Sequence, residues 1–221
     1  MNDLSGVETP MVFNGTGFGD PSASDGVIFN QASTSAILIG NDGDFDLGAE
    51  NVDGFYTTLW LAFPAGYTSS AFAGVADHSA GAINAGQWGV DTGTSGTSLR
   101  CAVGRDSGVL QVGGTGDDIP VDEVFQLSFG YSTAGGNNTL TKYINGVAVA
   151  TVSGVSSPLR TQAGVKVSMG EAGSAADQGL ILYRALQEVT SVTSGGAAAS
   201  GADIASRIQL DYTINKSRFT F

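Results

Sequence analysis

The sequence predicts an all-β protein: a two-sheet antiparallel jelly-roll sandwich with one short helical segment near residues 183–207. Three observations carry this. Thr139–Val152 reads as two strands around Asn145-Gly146, a pair suited to a type I′ turn because both central residues need φ > 0. Short apolar runs recur between clusters of Gly, Pro, Ser, Asn and Asp, the rhythm of a sandwich. The 33 glycines among 221 residues are scattered through apolar text, as turns and bulges require, and not in a collagen period.

In chain order, residues 1–25 are polar, Gly-rich and broken by Pro10 and Pro21, and read as an extended arm or loose first strand. Val27–Phe29 and Ala36–Ile39 are strands, and Asn41–Asp46 is a turn. Phe55–Phe63 is a buried strand with Trp60 as a core anchor, broken by Pro64-Ala-Gly. Phe72–Val75, Gln87–Val90, Leu99–Val103 and Val109–Val112 are short strands, and Val124–Tyr131 is a longer one leading into the hairpin. Val165, Val167 and Met169 alternate onto one face. Tyr183–Val192 is expected to make a helical turn or two and Ser200–Arg207 another, joined by a flexible Ser194–Ser200. The chain closes on Arg207–Asn215, where Ile208, Leu210, Tyr212 and Ile214 alternate with polar residues as in a half-buried strand. The organisation expected is therefore an arm (1–25), a sandwich (26–192) and a tail (193–221) of linker, short helix and final strand. No internal repeat points to a solenoid or propeller.

The order of Phe45-Asp-Leu-Gly48, the Trp60 strand, Phe125–Tyr131, the Asn145-Gly146 hairpin and Tyr183-Arg-Ala-Leu186 resembles laminin-G-like, concanavalin-A-like lectin–glucanase sandwich domains, from about residue 26 to 190. The resemblance implies a presentation and binding scaffold, with catalysis in only some branches and a calcium ion often held at the sandwich rim.

Charge narrows the partners. Nine basic residues stand against 21 acidic ones, a formal net charge of −12, with Lys142, Lys166 and Lys216 the lysines. Such a surface repels phosphate backbones and anionic membranes. The single cysteine, Cys101, excludes an intramolecular disulfide and is expected to pack as a small buried hydrophobe. Met1–Pro10 has neither the basic nor the apolar stretch of a secretory signal, so synthesis in a cytosol is expected.

Catalytic chemistry finds little support. The Glu-x-Asp-x-x-Glu strand motif of the superfamily's retaining glycosidases places carboxylates on one face about 5 Å apart. Glu8, Glu50, Glu123, Glu171 and Glu188 all lack an Asp two residues on, and Asp122 and Glu123 are adjacent, so a strand points them to opposite faces. His78 is the only histidine, reads as a loop residue, and is the only base available to a serine triad. No catalytic residue and no cofactor is expected. Calcium is the one ion worth weighing, at Asp42, Asp44 and Asp46; Leu47 and Asp53 stand where an EF-hand loop needs Gly and Glu. Tyr67, Trp88 and Tyr131 are candidate sugar-stacking rings.

A lectin-like sandwich without a secretion signal or catalytic constellation predicts a virion structural protein of a tailed phage, displayed on the particle surface as a decoration, spike or fibre component. Its expected partners are capsid or tail subunits, copies of itself and a host-surface glycan, with no nucleic acid or membrane. The alternative is a carbohydrate-binding receptor module on a tail fibre or cell surface; a glycoside hydrolase comes third.

Overall fold

The computed structural model describes residues 11–14, 18–19, 26–29, 36–39, 46–66, 71–75, 88–92, 98–113, 120–161, 167–169, 179–193 and 196–219. In chain order the strands are β1 (Met11–Asn14), β2 (Phe18–Gly19), β3 (Val27–Phe29), β4 (Ala36–Ile39), β5 (Val52–Ala62), β6 (Ala71–Val75) and β7 (Trp88–Asp91). They continue with β8 (Arg100–Arg105), β9 (Gly108–Val112), β10 (Val124–Ser132), β11 (Asn137–Ile144), β12 (Val147–Val155), β13 (Val167–Met169) and β14 (Leu180–Val192), before the one α-helix among the described residues, α1 (Gly201–Asn215). Among the described residues two seven-stranded sheets form: β1-β4-β13-β6-β7-β8-β9, and β12-β11-β10-β5-β14-β3-β2. All ladders between these strands are antiparallel. The all-β, two-sheet sandwich expected from the sequence is the fold observed. β1 and β2, from the stretch read as an arm or loose first strand, join opposite sheets.

Period-2 alternation builds the core. Phe55, Leu59 and Leu61 of β5 and Phe125, Leu127, Phe129 and Tyr131 of β10 face Trp88, Val90, Cys101, Val103, Leu110 and Val112 from the first sheet, all in one buried cluster. Cys101 is fully buried, as anticipated. The opposite face of the second sheet is also covered, because α1 lies on it. Every residue of β5 is consequently buried, which erases the alternation that a half-exposed strand would show.

Two expectations about the last forty residues are corrected. Tyr183–Val192 is not helical: it belongs to β14, which pairs with β5 along its length. Register shifts at Leu182/Arg184 and Val189/Ser191 break the period-2 pattern and mimic helical spacing. Arg207–Asn215 is not a strand but the body of α1. The helix starts at a capping box: Asp203 N–H donates to Ser200 Oγ at 3.2 Å, and Ser200 N–H donates to Asp203 Oδ2 at 3.2 Å. Its buried stripe is Ile204, Ile208, Asp211 and Asn215, a 3.6-residue period half composed of polar side chains. Leu210 and Ile214, read as inward-facing, are 59% and 65% exposed.

Candidate functional site

α1 docks on three cross-strand rows of the second sheet. Gly130, Tyr56 and Glu188 form one, Ser128, Thr58 and Leu186 the next, and Gln126, Trp60 and Arg184 the third. Gly130 and Ser128 leave room for close approach; a Cβ on Gly130 would lie 2.4 Å from Ile204 Cγ2. Tyr56, Tyr143, Ile204 and Ile208 form the cluster under the first half of the helix. Over the third row sits Asp211. Its Oδ2 accepts from Trp60 Nε1 and Gln126 Nε2, each at 2.9 Å, and its Oδ1 pairs with Arg184 and accepts from Asn215 Nδ2 at 3.2 Å. Trp60 therefore anchors the helix and not the inter-sheet core, with Tyr212 stacked on it at 5.9 Å and Phe219 tilted against it at 5.4 Å.

The hairpin turn completes the arrangement. Asn145 and Gly146 both have positive φ (51° and 77°), as the type I′ reading required. Asn145 Oδ1 accepts from Gln126 N–H and Asn145 N–H donates to Gln126 O, both at 2.9 Å, so the turn is pinned to β10. A Cβ on Gly146 would meet Gln209 Oε1 at 2.9 Å: the turn lies against the helix.

Between turn and helix is an open groove of about 540 Å³, lined by Tyr143, Gly146, Ala148, Ala205, Ser206, Gln209, Leu210 and Thr213. That volume suits a small ligand. The lining is uncharged. Ser206 Oγ donates to Ala202 O and Thr213 Oγ1 donates to Gln209 O, each at 2.9 Å. With their protons committed to the helix backbone, both hydroxyls offer acceptor lone pairs, while the Gln209 amide offers both polarities. Burial pushes the Tyr143 phenol above its ordinary range, with the Thr141 hydroxyl opposing it, so the ring remains neutral at physiological pH.

The residues singled out from the sequence lie elsewhere. Trp88 and Tyr131 are corrected as sugar-stacking rings: they are 1% and 0% exposed. Trp88 packs on Phe129 and donates to Gln187 Oε1 at 2.9 Å, and Tyr131 packs on Phe55. Each belongs to a period-2 inward row, which leaves no ring face for a ligand. Asp46 is 6% exposed, and its Oδ1 accepts from Ala49 N–H at 3.1 Å within the turn before β5. Asp42, Asp44, Tyr67 and His78 lie outside the described residues. Asp122 shapes the turn after Phe63, accepting from Ala65 N–H at 3.0 Å, and Glu123 is exposed beside it. Among the described residues no three His, Cys, Asp or Glu side chains gather as metal ligands. Gln209, Ser206 and Thr213 were missed because reading Arg207–Asn215 as a strand hides a helix flank. Ser200-x-x-Asp203 is the signal that reveals it.

No protein-family model and no curated protein matches the sequence. Solved structures do match its fold. The botulinum neurotoxin serotype G binding domain superposes with a TM-score of 0.66 at 12% identity, over 97% of this chain and 48% of that one. The receptor-binding domain of the C/D mosaic serotype gives 0.64 at 10% identity, over 96% and 48%. The type DC binding domain in complex with SialylT gives 0.62 at 10% identity, over 94% and 48%. A structure of botulinum neurotoxin type C, whose cell entry depends on interaction with two ganglioside molecules, gives 0.63 at 10% identity. The chain spans about half the length of these domains, and what it shares with them is the β-sandwich fold.

Proposed function

We propose that the chain is a non-catalytic carbohydrate-binding module whose groove between α1 and the Asn145-Gly146 turn receives a neutral sugar. The observation that carries this reading is the lining: the Gln209 amide, two hydroxyl acceptors and the apolar Leu210 meet over the buried Tyr143 in one open groove without a charged group. Sugar hydroxyls donate to such acceptors while a C–H face lies on apolar carbon. The lining holds no carboxylate, imidazole or thiol to serve as acid, base or nucleophile. The fold's appearance in toxin receptor-binding domains, one of them complexed with SialylT, agrees with a recognition role. A sialylated ligand is disfavoured here, since it finds no cation in the groove and a net charge of −12 around it.

A glycan array probed with the purified chain, followed by titration of the best ligand against Gln209→Ala, tests the reading. Neutral oligosaccharides should bind, and Gln209→Ala should weaken them about tenfold, the loss of one good hydrogen bond. Absence of any glycan ligand, or binding indifferent to Gln209→Ala, removes the proposal. Display on a phage particle beside capsid or tail subunits is a finer layer of it. Antibody against the chain should label purified particles, and unlabelled particles dispose of that layer alone.

A further inference from the structure

The β11–β12 hairpin stands out for what it lacks. From Asn137 to Val155 the one charged side chain is Lys142, which is fully buried and donates to Leu99 O at 2.9 Å. β12 ends its sheet. It is nine residues long, without charge or proline, and Val147, Val149 and Val155 are 62%, 43% and 71% exposed. The other three sheet ends, β1, β2 and β9, have four, two and five residues. Short strands, edge charges and prolines are the usual ways of blocking a sheet edge, and β12 has none of them. A bulge at Val149 near the turn leaves Ala150–Val155 in plain register with β11. Among the described residues, a side chain reaches the outward edge where Arg105 Nη1 donates to Val155 O at 2.9 Å.

We propose that β12 pairs antiparallel with β12 of a second copy of this chain, joining the two helix-covered sheets into one. The occupant follows from self-complementarity: the outward N–H and C=O groups of an antiparallel edge strand are matched by those of the same strand turned about a two-fold axis. Two copies at −12 each repel over most of their surface, so contact between them is least opposed where both are uncharged, as β12 is on either copy up to the Arg105 guanidinium at Val155. An isologous pairing needs a two-fold axis, and antiparallel strands place that axis perpendicular to the sheet. The same sheet face then points the same way in both copies. Because α1 and its groove lie on that face, the pair presents two grooves side by side to one surface, a bivalent arrangement. The dimer stands whether or not the groove takes a sugar; the bivalence rests on the carbohydrate reading above.

Sedimentation velocity of the purified chain, without glycan, is the test, with Thr151→Lys/Ser153→Lys as the variant. Both positions are exposed on β12, and edge lysines oppose pairing. The substitutions also reduce the net negative charge, so general repulsion falls, and any loss of association reflects the edge itself. The wild type should sediment with twice the mass of one chain and the variant as a single chain with an unchanged circular dichroism spectrum. In the wild type, amide exchange across residues 150–155 should slow as concentration rises. A monomeric wild type, a variant that still dimerises, or exchange at 150–155 that ignores concentration overturns the proposal. Should the variant fail to fold, the wild-type exchange measurement decides.

Discussion

Asp211 gathers indole, carboxamide and guanidinium donors from three neighbouring strands, with Asn215 from its own helix closing the set. A buried carboxylate is tolerable only when its oxygens are matched in this way. Removing it strands Trp60 Nε1 beneath the helix and leaves Gln126 Nε2 with its longer bond to Ile208 O, at 3.3 Å. Asp211→Ala should therefore cost on the order of 3 kcal/mol, read as a fall in the denaturant midpoint with a shifted Trp60 emission; a cost below about 1 kcal/mol contradicts the assigned role. Tyrosines respond to pH at the same scale. Burial, then the Glu188 carboxylate accepting from its hydroxyl at 2.6 Å, raises Tyr56 well above the ordinary phenol range, and burial does the same for Tyr131. A raised folded-state pKa means that stability is complete below the unfolded value of about 10 and is lost as pH climbs above it. Melting temperature should hold below pH 10 and drop beyond it, and Tyr56→Phe should flatten that drop. None of these roles was legible in the sequence. One Asp between Leu210 and Tyr212, in a run where polar and apolar residues alternate, looks like the wet face of a strand, and its partners lie 27, 85 and 151 residues away.

Elements with local determinants were legible. Asn145-Gly146 sets its own turn, so β11 and β12 followed directly, and the runs that became β3 to β10 were marked by flanking turn residues. Ser200–Arg207, expected as a short helical piece, is the first half of α1; β14 and the second half of α1 were misread for one shared reason: tertiary packing distorts both periods. Bulges interrupt the alternation of β14, while α1 buries two polar residues and exposes Leu210 and Ile214, so its apolar residues happen to recur every second position. What commits Gly201–Asn215 to a helix is its start. Ser200→Ala deletes the cap and should cost about 1 kcal/mol. The cap itself is exposed, so the change should appear as faster amide exchange in the first turn of α1 with the β-strands unaffected. Uniform destabilisation of the sheets would mean that Ser200 matters through some other contact.

The molecule is built in three layers, with the second sheet in the middle and α1 as the outermost. Strand order along that sheet was not readable, because β5 sits between β10 and β14 through pairings that reach across more than half the chain, and no local pattern encodes them. The three layers also explain why the sheet's outer face is so unlike a lectin's solvent face. Tyr56, Trp60, Ala62 and Tyr143 are at most 4% exposed, interspersed with Ser128, Thr58 and Gly130, whose small size admits the helix. Such a face is stable only when covered. A chain ending at Ala199 keeps the inter-sheet core, Phe55 to Tyr131, but opens an aromatic patch of a size that soluble monomers seldom leave bare. It should retain β-type circular dichroism, bind a dye specific for exposed apolar surface, and associate into species larger than those of the full chain. Adding residues 200–221 as a separate peptide should reverse the dye binding, since the capping box and the Asp211 pairings remain available to it. If the shortened chain instead stays dye-negative with an unchanged melting temperature, α1 is an ornament on a self-sufficient sandwich, and the groove beside it loses the rigid wall that recognition requires.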